Sequence, residues 1–250
     1  MPIPVCYCPQ DSFRGEKIVL PDEEARHISR VLRLKTGERL ITVDGEGHAY
    51  EGVLIEDERW GGSSMQIEKR YENWGEPKVH LTLAFGLSVG AKGDEIVEKG
   101  TELGVSRFVP LVTEKSKVRL DDMTKALRKS DRLTRVAIAA MKQCRRSRLP
   151  EICPPTDIVS YLSDVVGNQS TARLLFHPHA DSRPLDQSLV AGKQDIIVIT
   201  GPESGFSDVE VDKAIAAGCT VVSLGQRVLR AENAAPVACT LVMQLAGELG

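Results

Sequence analysis

Two glycine turns near the end of the chain hold the residues best suited to chemistry. The first turn, residues 201–207, reads Gly-Pro-Glu-Ser-Gly-Phe-Ser, and the second, residues 224–232, reads Leu-Gly-Gln-Arg-Val-Leu-Arg-Ala-Glu. Each turn follows a short apolar strand pattern, at residues 195–200 and 220–224, and each leads into a helical pattern. Ser207-Asp-Val-Glu210 is a capping box, which predicts that a helix begins directly after the first turn. Open α/β sheets bind ligands at the carboxyl ends of their strands, where backbone amides are exposed. The turns therefore indicate an enzyme or a nucleotide-type binding protein.

The elements that must position these turns alternate between strand and helix. After a turn-rich linker at residues 73–77, strands are predicted at residues 79–87, 107–112, 172–177, 195–200 and 220–224. Helices are predicted at residues 94–103, 121–146, 208–217 and 231–249, while residues 154–170 give no clear pattern. This alternation is typical of an α/β domain with a parallel sheet. The strand ending at His177 would supply a third strand end beside the two turns.

The first 74 residues indicate a different kind of domain. Two alternating strand patterns flank a hairpin turn at Asp44-Gly45, and a third lies at residues 65–71. A helix is predicted from the acidic segment at residues 21–24 to Gly37. Helical spacing places Arg26, Arg30 and Arg33 on one face of it, and Ile28, Val31 and Leu32 on the other. The pattern predicts a small barrel with one cationic helix, which suits a domain that grips an RNA backbone.

The charge distribution also favours a polyanionic partner. The net charge is −3, but residues 115–148 contain twelve Lys or Arg and three Asp, a local charge of +9. Such a run is often only a solvated helix face. The clustering of Lys142, Arg145, Arg146 and Arg148 within about two helical turns favours RNA binding instead.

Composition excludes several classes of protein. No apolar run reaches the roughly 18 residues that a membrane-spanning helix needs. The first residues show no secretory signal, so a cytoplasmic location is expected. The six cysteines lack zinc-site spacing, and the five histidines are scattered, so no metal site is predicted.

Taken together, these motifs resemble those of the RsmE family. The resemblance rests on the two turns, on Lys99-Gly-Thr-Glu-Leu-Gly-Val105, on the basic segment at residues 137–152 and on residues 27–37. Its members are SPOUT-class, S-adenosylmethionine-dependent methyltransferases that modify uridine N3 in small-subunit (16S) ribosomal RNA. The resemblance implies a PUA-like, RNA-binding β-barrel at residues 1–74 and a SPOUT domain with a deep trefoil knot at residues 75–250. It also implies a homodimer that acts on ribosomal RNA or on the assembled small subunit.

The resemblance and the turns assign roles to individual residues. S-adenosylmethionine is expected to bind at Leu175, Phe176, His177, Thr200, Gly201, Glu203, Gly205, Leu224, Gly225, Val228, Leu229, Arg230 and Ala234. Arg230 would stabilise the uracil anion that forms when N3 loses its proton. Glu203 or Glu232 would orient the base or accept that proton, unless Glu232 instead pairs with an arginine across the dimer. The RNA-binding candidates are Arg26, Arg30, Arg33, Lys142, Arg145, Arg146 and Arg148.

Two alternative functions remain open at the level of the sequence. Ser204, Asn233, Lys142 and Arg145 depart from the family pattern. The departures at Ser204 and Asn233 would suit an RNA-binding SPOUT protein that lacks activity. Residues 86–90 also match the Gly-x-Ser-x-Gly motif of α/β hydrolases, with Ser88 as the nucleophile. The remaining members of a hydrolase triad would be Asp157 or Asp164 and His177 or His179.

Overall fold

The computed structural model describes residues 3–57, 62–88, 90–116, 123–166, 170–178 and 182–249. The chain divides into two compact units. The first unit comprises Met1–Glu76 and Ile138–Leu149, and the second comprises Pro77–Ala137 and Pro150–Gly250. In the parts of the chain just given, no helix is both long and apolar enough to cross a membrane.

The first unit is built on a mostly antiparallel sheet. Its strands are β1 (Val5–Tyr7), β2 (Phe13–Arg14), β3 (Lys17–Val19), β4 (Arg39–Val43), β5 (His48–Asp57) and β6 (Gly62–Glu72). They lie in the order β1-β4-β5-β6-β3-β2, and only the β1–β4 pair is parallel. The predicted hairpin at Asp44-Gly45 and the predicted strand at residues 65–71 are both confirmed. A 3₁₀ turn, Gln10–Ser12, precedes β2.

The predicted N-terminal helix is shorter than expected and changes type. It consists of α1 (Asp22–Arg26) followed by a π-helical segment, His27–Leu32. It ends at Arg33, whose φ of 56° is left-handed, and not at Gly37. The wider π-helical turn breaks the 3.6-residue spacing used for the prediction. Ile28 is buried, whereas Val31 and Leu32, predicted to lie on the same face as Ile28, are 67% and 41% exposed.

The end of a long helix completes the first unit. The helix is α3 (Met123–Cys144), and Met141 packs in a core cluster with Ile41 and Val43. After it, Arg145 adopts φ 62° and the amide of Arg146 donates to the carbonyl of Met141 at 3.0 Å, the Schellman pattern of a helix end. The predicted domain boundary at residue 74 leaves residues 138–149 out of the first unit, to which they belong. A boundary drawn from the order of the sequence cannot show that a later segment of the chain returns to this sheet.

A buried ion pair fixes the segment predicted as a linker. The carboxylate of Glu76 lies 2.8 Å from the guanidinium of Arg146, and both side chains are almost fully buried, with exposures of 5% and 3%. The same carboxylate accepts hydrogen bonds from the amides of Ser147 and Arg148, each at 2.8 Å. Residues 73–77 therefore form an ordered turn held to the end of α3.

The second unit is an α/β domain with a parallel sheet, as predicted. Its strands are β7 (His80–Gly86), β8 (Val105–Val112), β9 (Glu151–Ile152), β10 (Thr156–Asp157), β11 (Ala172–Phe176), β12 (Arg183–Pro184), β13 (Asp195–Thr200) and β14 (Thr220–Ser223). The order is β10-β8-β7-β13-β11-β14-β12, with β9 beside β8, and every pairing is parallel.

The helices of this unit lie between its strands in the chain, and the last one follows β14. They are α2 (Lys92–Glu102), the first part of α3, α4 (Ile158–Asp164), α5 (Asp208–Ala216) and α6 (Ala231–Leu245), and a 3₁₀ turn lies at Gln187–Leu189. The unassigned segment at residues 154–170 contains β10 and α4. Helix α6 ends at Leu245 and not at Leu249 as predicted, and Gly247 follows with φ 78°. This sheet brings the ends of β13, β11 and β14 side by side.

We expect Glu76→Gln to lower the free energy of unfolding of the first unit by about 3 kcal/mol. The substitution removes the negative charge that compensates a buried guanidinium, and breaking such a pair is costly. Glu72→Gln is the matched control because the side chain of Glu72 is 74% exposed. Urea denaturation of the two variants checks the prediction, and equal midpoints would contradict it.

Candidate functional site

A cleft of about 290 Å³ opens where three strands of the parallel sheet end. Phe176 at the end of β11 pairs with Thr200 of β13 on one side and with Val222 of β14 on the other. The strand ends therefore lie at the same edge. The predicted residues that line the cleft are Phe176, His177, Gly201, Glu203, Gly205, Leu224, Gly225, Val228, Leu229, Arg230 and Ala234.

Two of the residues predicted for this site do not line it. Leu175 is 1% exposed and belongs to a core cluster that includes Phe206. Thr200 is 2% exposed. Because side chains alternate between the two faces of a strand, Leu175 points to the face opposite that of its neighbour Phe176. Thr200 pairs with Phe176 but is too deeply buried to line the cleft.

The structure adds five residues to the lining that the prediction did not include: Pro178, Pro202, Ser223, Arg227 and Ala231. All of them are sequence neighbours of residues that were predicted. The sequence therefore located the segments that line the cleft, but it did not identify every side chain of those segments that faces it.

The first turn is held by contacts with segments distant in sequence. A Cβ atom on Gly86, at the end of β7, would lie 2.2 Å from the nitrogen of Pro202, so only glycine fits at this crossing. Within the turn, Gly205 has φ 68° and its amide donates to the carbonyl of Pro202 at 2.9 Å. The hydroxyl of Ser204 donates to the carbonyl of Lys115, also at 2.9 Å. Ser204 thus anchors the turn from outside the cleft.

The first turn leads directly into α5 through a complete capping box. The side chain of Ser207 accepts a hydrogen bond from the amide of Glu210, and the Glu210 carboxylate accepts one from the amide of Ser207. The other oxygen of that carboxylate accepts from the amide of Glu114 at 2.8 Å. The capping box predicted from sequence is confirmed, and Glu210 also ties the helix to the segment after β8.

The second turn is more open. Gly225 has φ 96°, and its amide donates to the hydroxyl of Ser223 at 3.1 Å. Val228 is 88% exposed. Arg230 is the N-cap residue of α6, and its carbonyl accepts from the amides of Asn233 and Ala234. The backbone of Arg230 is therefore fixed by the helix, while its exposed side chain lines the cleft.

A lysine that the prediction did not select joins the two candidate carboxylates. Lys92, at the start of α2, forms an ion pair with Glu203 and lies 3.7 Å from Glu232. Lys92 is far from both glutamates in the chain, so no spacing in the sequence could indicate this cluster.

The structure gives no support to the hydrolase alternative. The hydroxyl of Ser88 is buried and has no hydrogen-bond partner within the described residues, so no base lies beside it. Asp157 caps α4 by accepting from the amides of Val159 and Ser160. Nearby, Lys129 donates to the carbonyl of Ser88 at 3.4 Å, and burial lowers the pKa of Lys129. Val89 and His179 lie outside the described residues.

The RNA-binding candidates of the first unit fall into two groups. Five of them are exposed: Arg26, Arg30, Arg33, Arg145 and Arg148. The assignment of Lys142 and Arg146 to RNA is corrected, because each is engaged by a buried carboxylate. Lys142 lies 2.5 Å from Glu24, and Arg146 lies 2.8 Å from Glu76. The run of basic residues suggested that both side chains are exposed. A run of charges cannot show that carboxylates from distant parts of the chain, here Glu24 and Glu76, pair with them.

Comparisons with known proteins establish the family. The family model for an RNA methyltransferase domain matches residues 75–243, and the model for an RNA methyltransferase PUA domain matches residues 20–59. The ribosomal RNA small subunit methyltransferase E of Aquifex aeolicus is 32% identical over 92% of this chain and 95% of its own length. The chain belongs to the ribosomal RNA small subunit methyltransferase E family. The family member from a Synechocystis species is 31% identical over 91% of this chain and 73% of its own length.

Solved structures of related methyltransferases share the fold over nearly the whole chain. The family member from Neisseria gonorrhoeae, solved bound to S-adenosyl methionine, has a TM-score of 0.84 and is 27% identical, covering 97% of this chain and 98% of its own. A methyltransferase from Legionella pneumophila, solved with bound SAM, has a TM-score of 0.85 at 28% identity, with 98% of both chains covered.

We expect Gly86→Ala to lower the free energy of unfolding by about 1–3 kcal/mol, since the added methyl group forces the backbone at Pro202 to move. Gly93→Ala is the matched control. Its Cβ would meet no atom closer than 3.8 Å, and Gly93 lies within α2, where alanine favours the helix. Thermal unfolding of both variants checks the prediction. Equal melting temperatures would show that the crossing at Gly86 is not as tight as the distances indicate.

Proposed function

We propose that this protein transfers a methyl group from S-adenosylmethionine to N3 of a uridine in small-subunit (16S) ribosomal RNA. The observation that carries the proposal is the cleft, because the two turns that hold the family motif form its walls. Membership of the methyltransferase E family supplies the reaction class and the kind of RNA.

The residues of the cleft fit S-adenosylmethionine. The volume of about 290 Å³ lies just below the usual range of small-molecule pockets, about 300–1,000 Å³. Leu224, Val228 and Leu229 offer apolar contacts, and the residues of the first turn offer polar ones. A Cβ atom on Gly201 would lie 3.2 Å from the ring of Phe206, so a larger residue would crowd this wall. When bound, the cofactor supplies an electrophilic methyl group on its sulfonium centre.

The remaining chemistry falls to charged side chains at the cleft. Uridine N3 carries a weakly acidic proton that must leave before or during methylation. Positive charge near O2 or O4 stabilises the resulting anion, and the exposed guanidinium of Arg230 is our candidate for this role. A side chain that accepts the proton must lie within hydrogen-bonding reach of N3.

Glu203 and Glu232 are the candidates for orienting the uracil or accepting its proton. Glu203 lines the cleft and its side chain is 51% exposed, which favours direct contact with RNA. The side chain of Glu232 is only 13% exposed and lies near Lys92. The pairing of Glu232 with an arginine of a second protomer remains the competing proposal for that residue.

Activity is favoured over a purely RNA-binding role. The two departures from the family pattern near the turns, Ser204 and Asn233, are both absent from the lining of the cleft. Ser204 is exposed, and its hydroxyl reaches the carbonyl of Lys115. Neither residue therefore obstructs cofactor binding.

The finer features of the fold belong to the same proposal. We infer a trefoil knot in the second unit, supported by the close crossing of the first turn over Gly86, where Pro202 leaves no room for a side chain. We also infer that the sheet of the first unit is a PUA-like barrel, supported by the match of residues 20–59 to a PUA family model.

A homodimer is the proposed assembly. One face of α6, including Ala238 and Val242, is buried, and this helix packs against α2, β7 and β13. Val237 and Leu241 of the same helix remain 39% and 38% exposed, which leaves an apolar strip for a second copy. A cytoplasmic location is proposed because the ribosomal substrate is found there.

Methyl transfer to ribosomal RNA is the direct test of the proposal. We expect the purified protein with S-adenosylmethionine to methylate a uridine at N3, and mass spectrometry of the digested RNA to detect it. Arg230→Ala should lower kcat by about a hundredfold, as the loss of one preorganised charge contact typically does. Arg183→Ala is the control, because Arg183 pairs with Asp186 and does not line the cleft. Wild-type turnover of Arg230→Ala would exclude the role given to this residue.

RNA affinity tests the role of the first unit. Replacing Arg30 and Arg33 together by Ala should weaken RNA binding and reduce the salt dependence by about one unit of slope for each lost phosphate contact. Arg39→Ala is the control, because Arg39 is already paired with Glu51 and Glu68. Filter binding at several salt concentrations measures both effects. Unchanged affinity of the double variant at physiological salt would rule out these arginines as RNA contacts.

A further inference from the structure

One lysine links the two walls of the cleft. Lys92 lies in the first turn of α2, Glu203 lies in the turn after β13, and Glu232 lies in the first turn of α6. Lys92 forms an ion pair with Glu203, and its ammonium lies 3.7 Å from the nearer oxygen of Glu232. Helix α2 also packs directly against α6. Three segments that are distant in sequence therefore meet at one positive charge.

This cluster differs from an ordinary surface ion pair in its burial. The side chain of Lys92 is 31% exposed and that of Glu232 is 13% exposed. The Oε2 atom of Glu232 is buried, and within the described residues it has no hydrogen-bond partner. A buried carboxylate oxygen is costly unless it is compensated. Lys92 supplies the nearby positive charge that makes this placement of Glu232 tolerable.

Both carboxylates belong to segments that carry the residues proposed for catalysis. Glu203 lines the cleft and belongs to the first turn. Glu232 lies two residues after Arg230, the N-cap residue of α6, which also lines the cleft. An ammonium group has three donors and can serve both carboxylates at once. The ion pairs of a single side chain thus connect the first turn with the start of α6.

We propose that Lys92 is a positioning residue of the methyl-transfer reaction, which acts by holding Glu203 and the start of α6 in fixed relation across the cleft. The inference rests on the function proposed above. Lys92 itself is not among the residues that line the cleft, and its ammonium is engaged by the two glutamates. Its effect on Arg230 and on the cofactor site is therefore indirect.

The first experiment compares Lys92→Met with Lys99→Met. Lys99 lies on the same helix, and its only ion pair within the described residues is with Glu95, one helical turn away, at 3.5 Å. We expect Lys92→Met to lower kcat at saturating substrates by about tenfold or more, because small misplacements of catalytic groups are costly. The Kd for S-adenosylmethionine, measured by calorimetry, should rise, while the KM for RNA stays unchanged. Lys99→Met should match the wild type in all three.

Rescue and coupling separate positioning from other roles. Lys92→Arg should recover most of the lost kcat and cofactor affinity, because a guanidinium can also pair with two carboxylates. In a double-mutant cycle on cofactor affinity, Lys92→Met and Glu203→Gln should be non-additive, since the residues form one unit. The inference is overturned if Lys92→Met behaves like Lys99→Met, if Lys92→Arg is as impaired as Lys92→Met, or if the two substitutions are additive.

The outcomes for Lys92 and for the proposed function are distinguishable. If the wild-type protein binds S-adenosylmethionine but methylates no ribosomal RNA, the proposed reaction fails. The calorimetric cycle still tests the link between Lys92 and Glu203 in that case. If the wild-type protein is active and both lysine variants are equally active, only the inference on Lys92 fails.

Discussion

The crossing of the first turn over Gly86 is the constraint on which the cleft depends. With the nitrogen of Pro202 2.2 Å from the place of a missing Cβ, β7 and the turn after β13 approach too closely for a side chain at residue 86. This approach fixes where the turn leaves the sheet. Two hydrogen bonds then hold the turn against Lys115. The hydroxyl of Ser204 donates to the carbonyl of Lys115, and the ammonium of Lys115 donates to the carbonyl of Phe206 at 2.9 Å. This wall of the cleft is thereby formed before any ligand arrives, which lowers the entropic cost of binding.

Charged residues in this protein serve two different purposes. In the first unit, Lys142 and Arg146 neutralise the buried carboxylates of Glu24 and Glu76 and so stabilise the unit. In the second unit, Lys92 pairs with Glu203, which lines the cleft, and lies close to the largely buried Glu232. Burial and partners distinguish the two cases, because the residue types are the same. A basic segment in the sequence is consequently a weak guide to where RNA binds.

Local sequence patterns were reliable where they depend on short-range rules. The two glycine turns, the capping box at Ser207 and the five strands predicted for the parallel sheet are all present in the structure. The short strands β9, β10 and β12 were not predicted. The helix after residue 21 was predicted with the wrong length, because its second half is π-helical and ends at a left-handed Arg33. That geometry depends on how Ile28 packs into the core of the first unit, which includes Leu40 and Met65. Tertiary packing overrode the local period there.

The sequence by itself determined the fold class, the family resemblance and the two turns that form the cleft, because glycine positions and hydrophobic periods are local properties of the chain. Only the tertiary structure decided which side chains face the cleft, and it excluded Leu175 and Thr200 because both are buried. Only the tertiary structure joined Lys92 to Glu203 and Glu232, and returned residues 138–149 to the first unit. Such contacts join residues far apart in the chain, and their free energy depends on burial, which no short segment of sequence specifies.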